Sequence, residues 1–196
     1  FLGAAYYKRR GIKNFIIRHR LLPIGKAKES ALAHQLLDGL RGIEIGASAH
    51  NSFGLKTLNV DCSDDYTTLY KKEEKRVVGR CAKVDVVAFG DDLPFKDESF
   101  DFVINSHVIE HFYDPIKAIK EWLRVIKPGG YVYMIAPHKE RIFDRDRPRT
   151  TLQELIDRNE NSNPPPYVDM HHNVWITEDL VELCQHFKWP IKAVQD

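Results

Sequence analysis

This 196-residue chain is short of cysteine, of long apolar runs and of net charge. Cys62, Cys81 and Cys184 are odd in number, scattered and without a C-x-x-C pair, which argues against a disulfide framework and suits a reducing cytoplasm. No hydrophobic stretch approaches the roughly 20 residues of a membrane span, and no secretory signal pattern is present. Lys plus Arg (29) nearly balances Asp plus Glu (28), so a general nucleic-acid binder is disfavoured. Acid is also missing locally: none precedes Glu29, while Lys8, Arg9, Arg10, Lys13, Arg18 and Arg20 are all basic. With Tyr6, Tyr7, Ile12, Phe15, Ile16 and Ile17 interleaved, residues 1–24 read as a basic amphipathic arm. Such an arm either touches an anionic membrane or a protein partner, or packs on the domain with its basic face in water. With Phe1 in place of an initiating Met, the expectation is a fragment or a trimmed product.

What is present is an ordinary globular composition, 43% hydrophobic and 29% charged, in a length that supports one full core. Residues 25–196 are read as that one domain. Apolar runs at 43–45, 58–60, 84–89, 100–105 and 131–136 read as strands, with a sixth at 191–194. Helical periodicity fills 25–37, 116–126, 151–158 and 177–187, and the polar stretch 64–74 reads as a short helix or an ordered loop. About ten residues separate the first two strands, which leaves room for only a turn or two of helix. Alternating strands and helices of this kind predict an α/β fold, a doubly wound and mostly parallel sheet. Its organising stretch is residues 91–137, where one strand leads into a polar crest, an amphipathic helix, a Pro-Gly-Gly turn and another strand. In such sheets ligands bind beyond the carboxyl ends of the strands.

Three pieces carry a family resemblance: D-x-L-P-F-x-D-x-S-F-D-F-V from Asp91 to Val103, S-H-V-I-E-H from Ser106 to His111, and R-V-I-K-P-G-G from Arg124 to Gly130. In these the chain resembles the class I S-adenosylmethionine-dependent methyltransferases, the type-11 group that includes ubiquinone-biosynthesis-like enzymes. The match covers about residues 41–137. It implies a Rossmann-like fold with S-adenosylmethionine as cofactor, and a sheet of seven strands, of which this sequence is expected to reach about the sixth. It also implies that Glu44, Gly46 and Ala47 lie by the methionine part of the cofactor and that Asp61 meets the ribose hydroxyls. Phe89, Asp91, Asp92 and Leu93 then surround adenine, and Asn105, Ser106 and His107 lie near the sulfonium. The chain departs from the family pattern twice. Gly46-Ala47-Ser48 replaces the usual G-x-G, and Phe89 stands where an acid often ends strand three, with Asp91 or Asp92 available for that role.

Methyl transfer to a hydroxyl calls for a base, and His serves near neutral pH. His107, His138 and His171 are the candidates; the last belongs to His171-His172-Asn173-Val174-Trp175, read either as a lid or as a helix-capping loop. His107, Glu110 and His111 have i, i+3, i+4 spacing and would share a helix face. That cluster resembles the E-x-x-E-H metal site of some ubiquinone-type and small-RNA O-methyltransferases, with His107 replacing the first acid. The preferred reading assigns no metal and makes Glu110 and His111 a hydrogen-bonded pair supporting the crest. Arg145, Arg147 and Arg149 either bind an anionic substrate or pair internally. The expected function is methylation, at oxygen, of a small-molecule or sugar-containing (glycan) acceptor in the cytoplasm, without nucleic acid. The competing reading is an inactive methyltransferase-like scaffold; a nicotinamide dehydrogenase is disfavoured because G-x-G-x-x-G is absent.

Overall fold

A computed structural model describes residues 28–49, 53–161, 163–166 and 170–196. The N-terminal arm lies outside the described residues. Five strands form one sheet in the order β3-β2-β1-β4-β5, and every pair is parallel. They are β1 (Gly42–Ile45), β2 (Thr57–Asp61), β3 (Val86–Val87), β4 (Phe100–Ser106) and β5 (Ile126–Ile135). The helices are α1 (Lys28–Leu37), α2 (Leu69–Val78), α3 (Pro115–Val125), α4 (Leu152–Glu160) and α5 (Thr177–His186).

β1 is buried along its whole length because it is flanked by β2 and β4 and covered on both faces. On one face Ile43, Ile45 and Val103 pack with Ile116, Ile119 and Trp122 of α3. On the other, Phe102 and Ile104 pack with Ala33 and Leu37 of α1. Gly42 is required for this layering, since a Cβ there would lie 2.5 Å from the Phe102 ring. α3 starts where the sequence predicts: Asp114 accepts the Lys117 N–H at 2.9 Å, and Pro115 occupies the first turn.

The structure corrects the expected elements in four places. Strand three is not a covered run over 84–89. β3 has two residues and Val87 is exposed, because it is the sheet edge, where one neighbour suffices to define it. Pro128-Gly129-Gly130 does not stop α3, which ends at Val125 as Ile126 turns extended to pair with Phe100. The glycines instead sit in an irregularity within β5, between the Ile126–Phe100 and Tyr131–Phe102 pairings. The helix sought at 64–74 begins later, at the Thr68 cap, and ends at Gly79 with φ +80°. No sixth strand forms at 191–194, where Ile191 and Val194 are exposed and unpaired in any ladder.

Candidate functional site

Register brings the strand ends level. Ile45 pairs with both Val60 and Asn105, so the next residues, Gly46, Asp61 and Ser106, emerge together at the carboxyl end of the sheet. The chain winds outward from β1 to β3 and then returns to β4 on the other side of β1, so the topological switch lies between β1 and β4, where ligands of such sheets bind. At this point Gly46 has φ +67°, donates its N–H to Val60 O at 2.8 Å, and packs so close to the crest that an added Cβ would lie 2.9 Å from Val108 Cγ2. Ala47 N–H is held by Asn59 Oδ1 at 3.1 Å, and Ala49 N–H by Glu74 Oε1.

A buried lysine organises this corner. Lys71 Nζ lies 3.2 Å from Asp61 Oδ2 and 3.6 Å from Glu74 Oε2, with Lys71 and Glu74 both buried. Glu74 Oε1 in turn accepts Ala82 N–H at 2.8 Å. One cation therefore holds the strand-two acid and, through Glu74, the loop after β1. Sequence reading missed Lys71; its only signal was the i, i+3 spacing to Glu74.

The stretch expected around adenine is pinned to α3. Trp122 Nε1–H donates to Gly90 O at 2.8 Å, Leu93 N–H to Glu121 Oε1 at 2.7 Å, and Lys117 reaches Asp91 at 2.9 Å. Phe89 and Asp92 are exposed, whereas Leu93 belongs to the core. Asn105 is fully buried, and its amide nitrogen and oxygen have no hydrogen-bond partner among the described residues. A backbone approach at Gly46, a carboxylate at Asp61 and an unsatisfied amide at Asn105 fit a ligand that presents ribose hydroxyls and an amino-acid end.

Glu44 lies on β1, nearly buried, and among the described residues accepts a hydrogen bond from the Thr57 hydroxyl at 3.4 Å. Burial outweighs that bond and raises its carboxyl to about 7. The folded chain thus holds this proton more tightly than the unfolded one. The stabilisation is complete below the unfolded value of 4.5 and is lost as pH rises through about 7. A rise of this size corresponds to about 3 kcal/mol. Denaturant unfolding of Glu44→Gln at pH 5, 7 and 8.5 is expected to show a shallower fall in stability than the parent by about that amount.

The crest after β4 departs from the helical reading. His107, at φ +56°, donates its N–H to Ile135 O at 2.8 Å, and a 3-10 turn, Ile109–His111, follows instead of an α-helical face. The three residues nevertheless converge. His107 Nδ1 and His111 Nε2 lie 3.7 and 4.0 Å from Glu110 Oε1. A third imidazole arrives from the loop before α5, with His171 Nε2 3.8 Å from the same oxygen. Glu110 is completely buried, and neither carboxylate oxygen has a hydrogen-bond partner among the described residues. Burial, with Asp144 adding to it, raises its carboxyl to about 7. The hydrogen-bonded Glu110–His111 pair is therefore not what forms, because these separations exceed hydrogen-bond distances.

The other two histidine candidates are fixed by different partners. His138 Nδ1 accepts Glu140 N–H at 3.3 Å, so the neutral ring carries its proton on Nε2. His171 Nδ1 lies 2.5 Å from Asp144 Oδ2. Burial opposes the charge on Asp144, but hydrogen bonds from Arg147 and His171 prevail and hold its carboxyl below the usual range. Asp144 therefore accepts the proton on Nδ1 and leaves a lone pair on Nε2, facing Glu110. The charged run 144–149 pairs internally, Arg147 with Asp144 at 2.8 Å and Arg149 with Asp179 at 3.6 Å. Trp175 is buried in the core, so the 171–175 segment is a loop docked on the crest: His172 and Asn173 N–H both donate to Glu110 O. The orienting role of Asp144 was hidden in that run, since nothing local to it points to His171.

Comparison with known proteins follows this geometry. A family model described as "Methyltransferase domain" matches residues 41–134. An uncharacterized protein of Methanocaldococcus jannaschii is 35% identical over 126 residues, 63% of this chain and 54% of that one. A demethylmenaquinone methyltransferase of Renibacterium salmoninarum is 30% identical over 159 residues, 77% of this chain and 63% of that one. The chain spans about half the length of the first of these curated relatives. In fold it is similar to an S-adenosylmethionine-dependent methyltransferase of Thermotoga maritima, with a TM-score of 0.54 at 24% identity, covering 93% of this chain and 76% of that one. With these matches set on a sheet ordered 3-2-1-4-5 and a glycine at the end of β1, residues 41–134 belong to the methyltransferase domain family of the class I, S-adenosylmethionine-dependent type.

Proposed function

We propose that the chain transfers the methyl group of S-adenosylmethionine to a hydroxyl of a small-molecule or sugar-containing acceptor. The observation that carries this reading is the convergence of Gly46, Asp61 and the unsatisfied Asn105 amide at the topological switch. The bound cofactor supplies an electrophilic methyl on a sulfonium. The chain supplies position: the bare backbone at Gly46 would meet the amino-acid end, the Asp61 carboxylate would accept from ribose, and the backbone of 89–93, pinned by Trp122 and Glu121, would form the base-binding wall.

Among the histidines the tautomers favour His107 as the base. His138 in its neutral form has no lone pair on Nε2, and the Nε2 lone pair of His171 is turned to a buried carboxylate. The His107 side chain is 56% exposed and follows directly on β4, beside the crevice. It is placed to take the acceptor's hydroxyl proton as the oxygen attacks. Several relatives bear the name demethylmenaquinone methyltransferase, so demethylmenaquinone is one acceptor to include in the test.

The test is transfer of isotopically labelled methyl from the cofactor to a panel of phenols, catechols and sugar hydroxyls. His107→Ala is expected to lower turnover about 10²- to 10⁴-fold with cofactor affinity unchanged. His138→Ala is expected to cost far less. Equal losses from the two substitutions would exclude His107 as the base, and cofactor binding without transfer to any acceptor would favour the scaffold reading.

A further inference from the structure

We propose that Lys71 is a positioning residue for the cofactor: it fixes the carboxylate of Asp61 and ties it to the loop after β1, so that the ribose and amino-acid ends of the crevice are set as one unit. The proposal rests on the reading of Asp61 as the ribose acceptor. Lys71 lies in the first turn of α2, and its side chain is only 8% exposed. An ammonium group is strongly hydrated, so burying it is costly unless well-placed partners offset the loss. Two acids face it, Asp61 Oδ2 at 3.2 Å and Glu74 Oε2 at 3.6 Å. Their tasks differ. Glu74 is buried, and its other oxygen accepts the N–H groups of Ala49 and Ala82, so it is committed to the backbone. Asp61, 20% exposed at the end of β2, is the most open member of the trio.

The mounting is firm on both sides. Lys71 N–H donates to the Thr68 cap at 3.4 Å, and Lys71 O accepts from Cys81 Sγ at 3.2 Å. The backbone of Asp61 is held between strands, its O accepting Ala88 N–H at 3.0 Å. A lone aspartate side chain exchanges among staggered rotamers, and ordering it on binding weakens affinity. With the ammonium on one oxygen, that ordering is complete before a ligand arrives. The same cation reaches Glu74 and, through it, the Ala49 N–H in the loop that follows Gly46 and Ala47. β2 ties that loop a second time, as Asn59 Oδ1 accepts Ala47 N–H at 3.1 Å. Lys71 also damps the charge on Asp61, which opposes its own effect. Without it, however, nothing holds the Asp61 carboxylate inward, and desolvation drives that group toward water. Glu74 cannot follow, because two N–H groups hold it.

The test needs no methyl transfer. Isothermal titration compares the demethylated product of S-adenosylmethionine with the analogue of it that lacks both ribose hydroxyls. The parent is expected to bind the first at least about tenfold more tightly, the loss that follows when a charged acceptor forfeits its hydrogen bonds. Lys71→Met is expected to bind the two within about threefold of each other. Because that substitution also costs stability, the double substitution Lys71→Met with Glu74→Gln is measured beside it, and circular dichroism checks each fold. Part of the stability is expected to return in the double variant, and the preference for ribose hydroxyls is not. A merely structural role for Lys71 would weaken both ligands alike and leave their ratio as in the parent. Asp61→Ala probes the reading beneath the proposal and is expected to lose the preference. A preference absent from the parent, or kept by Asp61→Ala, would overturn that reading and the proposal with it. A preference lost in Asp61→Ala but kept or enlarged in the double variant would overturn the proposal alone.

Discussion

Gly46→Val is expected to lower the affinity for S-adenosylmethionine at least about a hundredfold, equivalent to about 2.7 kcal/mol of binding free energy. Two effects act at one atom. Gly46 has φ +67°, a conformation that costs a side-chain-bearing residue about 1–2 kcal/mol and a β-branched one more. An added Cβ would also start 2.9 Å from Val108 Cγ2, where the end of β1 packs against the β4 crest. Val108 and the crest must shift to admit it, which displaces the backbone proposed to meet the ligand's amino-acid end. Calorimetric titration of the variant, with its fold checked by circular dichroism, gives the answer. Affinity within a few-fold of the parent would show that the ligand does not approach Gly46.

Lys71→Met is expected to lose about 3–5 kcal/mol of folding stability, as when one partner of a buried ion pair is removed. The side chain is 8% exposed and lies between Asp61 and Glu74, so its removal leaves two carboxylates close together with no cation between them. Glu74 also holds the N–H groups of Ala49 and Ala82, so the loop after β1 is expected to loosen with it. Against a typical domain stability of about 5–15 kcal/mol this loss is large. Urea unfolding measures it. The double substitution Lys71→Met with Glu74→Gln should recover part of the loss, because it removes one of the uncompensated charges; no recovery would indicate that packing, not charge, fixes this corner.

Much of the sheet was legible because its residues obey local rules. β1, β2 and β4 are apolar runs at the centre of a parallel sheet, and α3 announces itself through Asp114, Pro115 and a clean apolar face. The edge was not legible: Val84 to Phe89 has the composition of a buried strand, yet only Val86 and Val87 pair, since position in the sheet is a tertiary fact. The site divides in the same way. Gly46, Asp61 and Ser106 are read from strand ends, because parallel register alone brings them level, with Asn105 one residue before on β4. The Glu110 cluster was half visible: the 107–111 spacing suggested a shared face, and the chain makes it with a left-handed His107 and a 3-10 turn. His171 and Asp144, 27 residues apart, join only through a docked loop, and no pattern along the chain encodes that.

The central claim, a cofactor crevice at the β1/β4 switch, is tested most directly by isothermal titration of the unmodified chain with S-adenosylmethionine and with its demethylated product. The account predicts binding of one equivalent of each with Kd below about 1 mM, within the range typical of enzymes for their substrates. No heat of binding from either ligand at millimolar concentration, from chain shown to be folded, would contradict it.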